Sequence, residues 1–133
     1  MRIKEIVNPL PITAVPGQPP FVEGIVELRG AFFPVIDLRT RFGLSTTAAD
    51  RDSKYVIARV DGRQVGLVVD RVIEVRRVET GQVAAPPPLA TGERRYFSGV
   101  IKWDQRIVMV VDLDEVLTDD ERHDLMALHD QAR

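Results

Sequence analysis

The sequence predicts a mainly β protein made of two related small β-barrel units followed by one C-terminal helix. Three observations carry this expectation. Short apolar runs are broken by turn residues at three places, which is the pattern of β-hairpins. Proline-rich stretches separate those places, and proline cannot donate to a β-ladder. The segment 24–38 recurs without a gap at 99–113.

The elements follow in chain order. Ile3-Lys4-Glu5-Ile6 is a short apolar–polar run, and Pro9–Pro20 is a connector. Val26–Leu28 and Phe32–Leu38 flank Arg29-Gly30 and form the first hairpin. Residues 44–53 are small and polar and form an exposed loop. Tyr55–Val60 and Val65–Asp70 flank Asp61-Gly62, a dipeptide whose tolerance of positive φ suits a two-residue hairpin turn. Arg71–Arg77 fits strand or helix equally. Pro86-Pro87-Pro88 is a rigid connector, and Val100–Trp103 with Ile107–Leu113 form a third hairpin around Asp104-Gln105-Arg106. Thr118 with Glu121 makes a capping box, and Asp119 and Asp120 favour the positive end of a helix dipole, so a helix is expected over 118–133.

The internal repeat organises these elements. Gly24, Asp37 and Leu38 match Gly99, Asp112 and Leu113, and the apolar positions between them correspond. Upstream, Ile3-Lys4-Glu5-Ile6 resembles Val72-Ile73-Glu74-Val75, with a connector six residues longer in the second copy. Closing short strands into barrels removes exposed edges. The expected units are 1–50 and 54–117. On this division the second copy opens with the hairpin at 55–70, and the first copy lacks an equivalent. The first barrel is then open, or another segment or chain fills it.

Composition narrows the function. The chain has 133 residues, 44% of them apolar and 29% charged, which suits one soluble globular domain. A formal charge of −2 argues against nucleic-acid binding, which goes with strongly basic domains. With no cysteine, thiolate metal sites and disulfides are excluded. His123 and His129 fall on different helix faces and make no metal pair. No apolar run reaches the roughly 20 residues of a membrane span, and the N-terminus carries no secretory pattern. Glycine-rich phosphate loops are missing, and the acidic stretch 112–121 lacks the pattern of a calcium loop. No cofactor or metal is expected.

Asp37, Asp70 and Asp112 each end an apolar run. Acid–base chemistry is one reading of them, and capping of loop amides is the favoured one. Arg29 stands at a hairpin tip beside Gly30, where its planar fork suits a partner carboxylate or carbonyl; a solvated turn arginine is the plainer alternative. Arg76-Arg77 and Arg94-Arg95 read as solvated faces.

The string ITAVPGQPPFVEGIVELRGAFFPVIDLRTRFGL, residues 12–44, closely resembles the signature of the chemotaxis coupling (CheW-like) domain family. GLVVDRVIEV, the PPP run, YFSGVIK and VVDLDEVL follow in the family's order. The resemblance implies two SH3-like five-stranded barrels and no catalytic activity. It implies a cytoplasmic scaffold, recruited to membrane receptor arrays without inserting into the membrane. The expected partners are the cytoplasmic hairpin of a methyl-accepting chemoreceptor and a chemotaxis histidine kinase. By the same resemblance, receptor binding falls to Arg29, Gly24 and Gly30, with Ile3, Ile12 and Val15 bordering an apolar groove between the barrels. Glu27 departs from the motif's asparagine. The resemblance also implies two strands ahead of Arg2–Ile6. Their absence suggests a variant adaptor with altered kinase contacts, which closes its first-barrel edge by homodimerisation or strand exchange; a start assigned too late is the competing explanation. A regulatory domain cut from a larger histidine kinase and a small-ligand or enzymatic β-barrel are the other readings.

Overall fold

The computed structural model describes residues 2–44, 52–85 and 96–131. The PPP run, Arg94-Arg95 and most of the 44–53 loop lie outside the described residues. The strands are β1 (Arg2–Val7), β2 (Val22–Leu28), β3 (Ala31–Asp37), β4 (Lys54–Val60), β5 (Arg63–Val69), β6 (Phe97–Trp103) and β7 (Arg106–Val111). One helical turn, α1 (Leu38–Arg41), follows β3, and α2 (Asp119–Gln131) follows β7.

All three expected hairpins form. Their turns are pairs of residues with positive φ: Arg29 at 50° with Gly30 at 80°, Asp61 at 52° with Gly62 at 80°, and Asp104 at 47° with Gln105 at 66°. Two consecutive left-handed residues make a type I′ turn, whose twist matches that of the flanking strands. The third turn is shorter than the sequence suggests. Arg106 already pairs with Trp103, so the connection is Asp104-Gln105 alone. Residues 71–78 take neither of the two forms left open for them, strand or helix.

The chain divides into two compact units. Unit 1 is Met1–Ile73 with Asp120–Arg133, and unit 2 is Glu74–Asp119. This departs from the expected division at 50 and 54. The hairpin β4–β5, assigned by sequence to the second copy, lies in the five-stranded sheet of unit 1, in the order β1-β4-β5-β3-β2. β4 runs antiparallel to β1, and β5 runs parallel to β3 through Val35–Asp37. The edge at which self-association is expected is therefore filled by β4–β5. The reason is packing: Tyr55, Ile57 and Val68 of the hairpin complete one core with Val26, Phe33 and Val35. Phe33, Val35 and Ile57 have no exposed surface at all. A fully buried aromatic or branched side chain stabilises a fold by roughly 1.5–3 kcal/mol, so the hairpin goes where that core is.

Unit 2 contains the two-stranded sheet β6–β7. Its strands repeat the layout of β2–β3 in detail. Thr13 and Ile25 exchange a pair of backbone hydrogen bonds of 2.9 Å, and Ala84 and Val100 exchange a pair of 2.8 and 2.9 Å. The Asp37 amide donates to the Phe21 carbonyl at 2.7 Å, and the Asp112 amide donates to the Tyr96 carbonyl at 2.7 Å. Both hairpins carry a register shift beside the repeated glycine, between Val22 and Gly24 and between Phe97 and Gly99. The repeat read from sequence is thus a repeat of structure.

Candidate functional site

The six residues expected to bind a receptor, Ile3, Ile12, Val15, Gly24, Arg29 and Gly30, all lie in unit 1. Gly24 is held in β2 with φ at 146°, a conformation open essentially to glycine alone. A Cβ there would collide with the Thr13 carbonyl oxygen and would lie 2.8 Å from Cγ2 of Ile12. The missing side chain is what lets the connector lie flat against β2. Gly24 is therefore a packing glycine, and it fixes where the exposed Ile12 sits.

Arg29 reaches back from the β2–β3 turn to β1, where Nη2 donates to Oε1 of Glu5. The order of the sheet puts β1 and β2 at its two edges, so this ion pair ties one edge to the other. About two thirds of the Arg29 side chain stays in solvent, with 65% exposed. The side chain is thus largely exposed while Nη2 is held by Glu5. Ile3, exposed on the same strand as Glu5, completes an apolar and charged margin. Gly30 lines a shallow concavity with Phe32, Arg59, Gly62 and Arg63 at the ends of two hairpins. Val15 is half-buried further along the connector.

Sequence reasoning missed Glu5, because nothing local links it to a residue twenty-four positions away. It also missed a buried ionic cluster at the end of β3. The Asp37 carboxylate caps α1 by accepting from the Arg39 amide at 2.9 Å, and it accepts from Arg39 Nε and Nη2 at 3.0 Å each. Arg39 Nη1 also donates to Asp70 at 2.9 Å. Burial opposes the charge on Asp37, but the Arg39 guanidinium and amide outweigh it and hold the carboxyl below its usual range. Glu23 is pushed up, first by loss of water and then by the neighbouring Asp37 carboxylate. Burial, with Glu23 and Asp37 nearby, also raises Tyr55. An aspartate held ionised by a bidentate arginine is a poor general base, and the cluster's geometry is that of a brace for the strand end. Asp112 caps in the same way, accepting from the Asp114 amide at 3.0 Å. Capping, the reading favoured from sequence, is what both aspartates do.

Among the described residues, no group of three or more histidines, cysteines or carboxylates is placed to hold a metal ion. Among them too, no helix is long and apolar enough to cross a membrane.

Comparison with known proteins gives this geometry its family. The CheW-like domain family matches residues 1–121. The chain is 32% identical to the chemotaxis protein CheW of Helicobacter pylori, over 90% of this chain and 73% of that one. It is 32% identical to the chemotaxis protein CheW of Rhizobium meliloti, over 92% of this chain and 79% of that one. The crystal structure of the scaffolding protein TtCheW from Thermoanaerobacter tengcongensis superposes with a TM-score of 0.76 at 36% identity, covering 84% of this chain and 77% of that one. The mainly β fold, the repeated hairpins and these matches together place the chain in the CheW-like domain family, a family of non-catalytic chemotaxis scaffolds.

Proposed function

We propose that this protein is a cytoplasmic coupling scaffold that docks the cytoplasmic hairpin of a chemoreceptor on unit 1 and links it to a histidine kinase. One observation carries the reading. Arg29 stands at a hairpin tip with about two thirds of its side chain in solvent, beside the exposed apolar residues of β1. A receptor helix offers apolar anchors and carboxylates in register. Apolar burial supplies affinity to such a complex, and a placed charge sets orientation. Ile3 and Ile12 serve as the apolar contacts, Arg29 as the charge, and Gly24 and Gly30 shape the backbone that presents them. Glu5 competes with the receptor for Arg29 and holds the fork ready.

The test is surface-immobilised receptor hairpin titrated with wild type, Arg29→Glu and Glu5→Gln. Arg29→Glu is expected to weaken binding by about 10-fold or more, since a like charge at a contact costs at least ~1.4 kcal/mol. Glu5→Gln, which frees Arg29, is expected to bind at least as well as wild type. Equal binding by wild type and Arg29→Glu ends the receptor-side assignment. Co-sedimentation with the kinase, with and without receptor, tests the second link.

A further inference from the structure

The strand directions of unit 1 gather three strand starts at one end. β1 and β5 both run antiparallel to β4, and β3 runs parallel to β5, so β1, β3 and β5 begin together. The turns Arg29-Gly30 and Asp61-Gly62 lie at that end for the same reason. Between them is a concavity of about 510 Å³ whose lining includes Gly30, Phe32, Arg59, Arg63 and Gln64.

Two features of this end cost the folded chain stability. Arg2 of β1 stands directly opposite Arg59 of β4, and like charges facing each other across two strands repel. Among the described residues, neither of the two makes an ion pair. Phe32 is 40% exposed beside them, although the rest of β3, from Phe33 to Asp37, is buried. The acids of this end are Glu5, which Arg29 holds, Glu27, which faces Phe32 across the hairpin, and Asp61. None of the three lines the concavity. An apolar ring beside two guanidinium groups, with no carboxylate in the lining, fits one chemistry: a segment that brings a carboxylate together with an apolar side chain.

We infer that this concavity is a second contact point for the chemoreceptor hairpin, taking an acidic residue of the receptor helix on Arg59 and Arg63 and an apolar neighbour of that residue on Phe32. The inference rests on the receptor reading above and extends its contact surface beyond Arg29. Gly30 joins the two, since it belongs to the Arg29 turn and lines the concavity. Charges at two separate points fix the direction in which a helix lies as well as its position, because a reversed helix loses both pairs. Guanidinium groups also take phosphate, but the chain's net charge of −2 opposes an anionic lipid surface.

The experiment titrates the full chain onto immobilised receptor hairpin. Arg59→Glu is expected to weaken binding by about tenfold, and Phe32→Ser by about threefold. Arg59→Glu also sets an opposite charge facing Arg2, so its Tm is expected to stay at or above that of wild type, which separates a lost contact from lost folding. Arg77→Glu, the same charge change in unit 2, leaves binding unchanged. Each acidic residue of the receptor hairpin is then reversed to Arg in turn. One reversal is expected to restore binding to Arg59→Glu while failing to restore it to Arg29→Glu. Wild-type binding by both Arg59→Glu and Phe32→Ser overturns the inference, and the receptor reading survives if Arg29→Glu still binds weakly. A wild-type chain that does not bind the hairpin overturns both. Equal weakening by Arg77→Glu, or a loss in Arg59→Glu that no receptor reversal restores, overturns the inference alone. Vesicles containing anionic lipid that bind wild type and release Arg59→Glu make a membrane the occupant and overturn it as well.

Discussion

Gly24→Ala tests how the connector is held on β2. Two costs add. An alanine must adopt φ near 146°, a region reserved for glycine, at about 1–3 kcal/mol. Its Cβ also drives into the Thr13 carbonyl, so the connector must retreat. Retreat breaks the two 2.9 Å hydrogen bonds between Thr13 and Ile25, at about 1 kcal/mol each. Relaxation recovers part of this, and the expected loss is about 3 kcal/mol, or roughly 10 °C in Tm for a chain of this size. Urea denaturation followed by circular dichroism measures it. Hydrogen exchange supplies the local readout, with faster exchange expected at Thr13 and Ile25. A Gly24→Ala variant within about 0.5 kcal/mol of wild type, with Thr13 still protected, refutes the packing role. Gly99→Ala is the internal comparison. Its Cβ meets Val83 and the Ala84 carbonyl at 2.5 and 2.7 Å, so it is expected to destabilise unit 2 in the same direction through the clash.

Two further outcomes follow from the buried cluster. Arg39→Ala leaves Asp37 charged and buried without its partner and is expected to cost about 3–5 kcal/mol, whereas the double variant Asp37→Asn/Arg39→Met is expected to cost less than the single one, as a double-mutant cycle by urea unfolding would show. pH separates the two acids. Asp37 lies below its ordinary value of 3.8, so its contribution is present at neutral pH and is lost as pH falls through its lower folded value. Glu23 lies above its ordinary 4.5, so its ionised form is disfavoured by folding and protonation on acidification favours the fold. Glu23→Gln is therefore expected to raise Tm at pH 7 and to have little effect at pH 4; an equal effect at both pH values refutes the assignment.

What could be read from the residues follows the range of the interaction. The hairpins were legible because apolar runs and turn dipeptides are local signals, and the three turns fall where Arg29-Gly30, Asp61-Gly62 and Asp104-Gln105 stand. The repeat was legible because Gly24 and Gly99 answer the same steric demand in two places. The partnership of β4–β5 with β1 and β3 was not legible. A hairpin's pattern says which face is apolar, but not which sheet that face will cover, and sequence order favoured the wrong neighbour. The Arg29–Glu5 pair was hidden for the same reason. Arg29, Gly24 and Gly30 are assigned through a motif, and the motif does not say that Gly24 packs against the connector.

The crossing of β4–β5 into the sheet of the earlier strands has a consequence for how the protein is born. During synthesis, β2 and β3 can pair with each other, but β1 cannot join them, because the two strands that lie between β1 and β3 are encoded further on. The chain must be out through β5, at Arg63–Val69, before that strand can lock against Val35–Asp37. Until then Phe33 and Val35 are bare, and long-range β pairing of this kind is slow and prone to aggregation. A nascent chain stalled near residue 50 would thus be a client for chaperones rather than a finished half of the molecule.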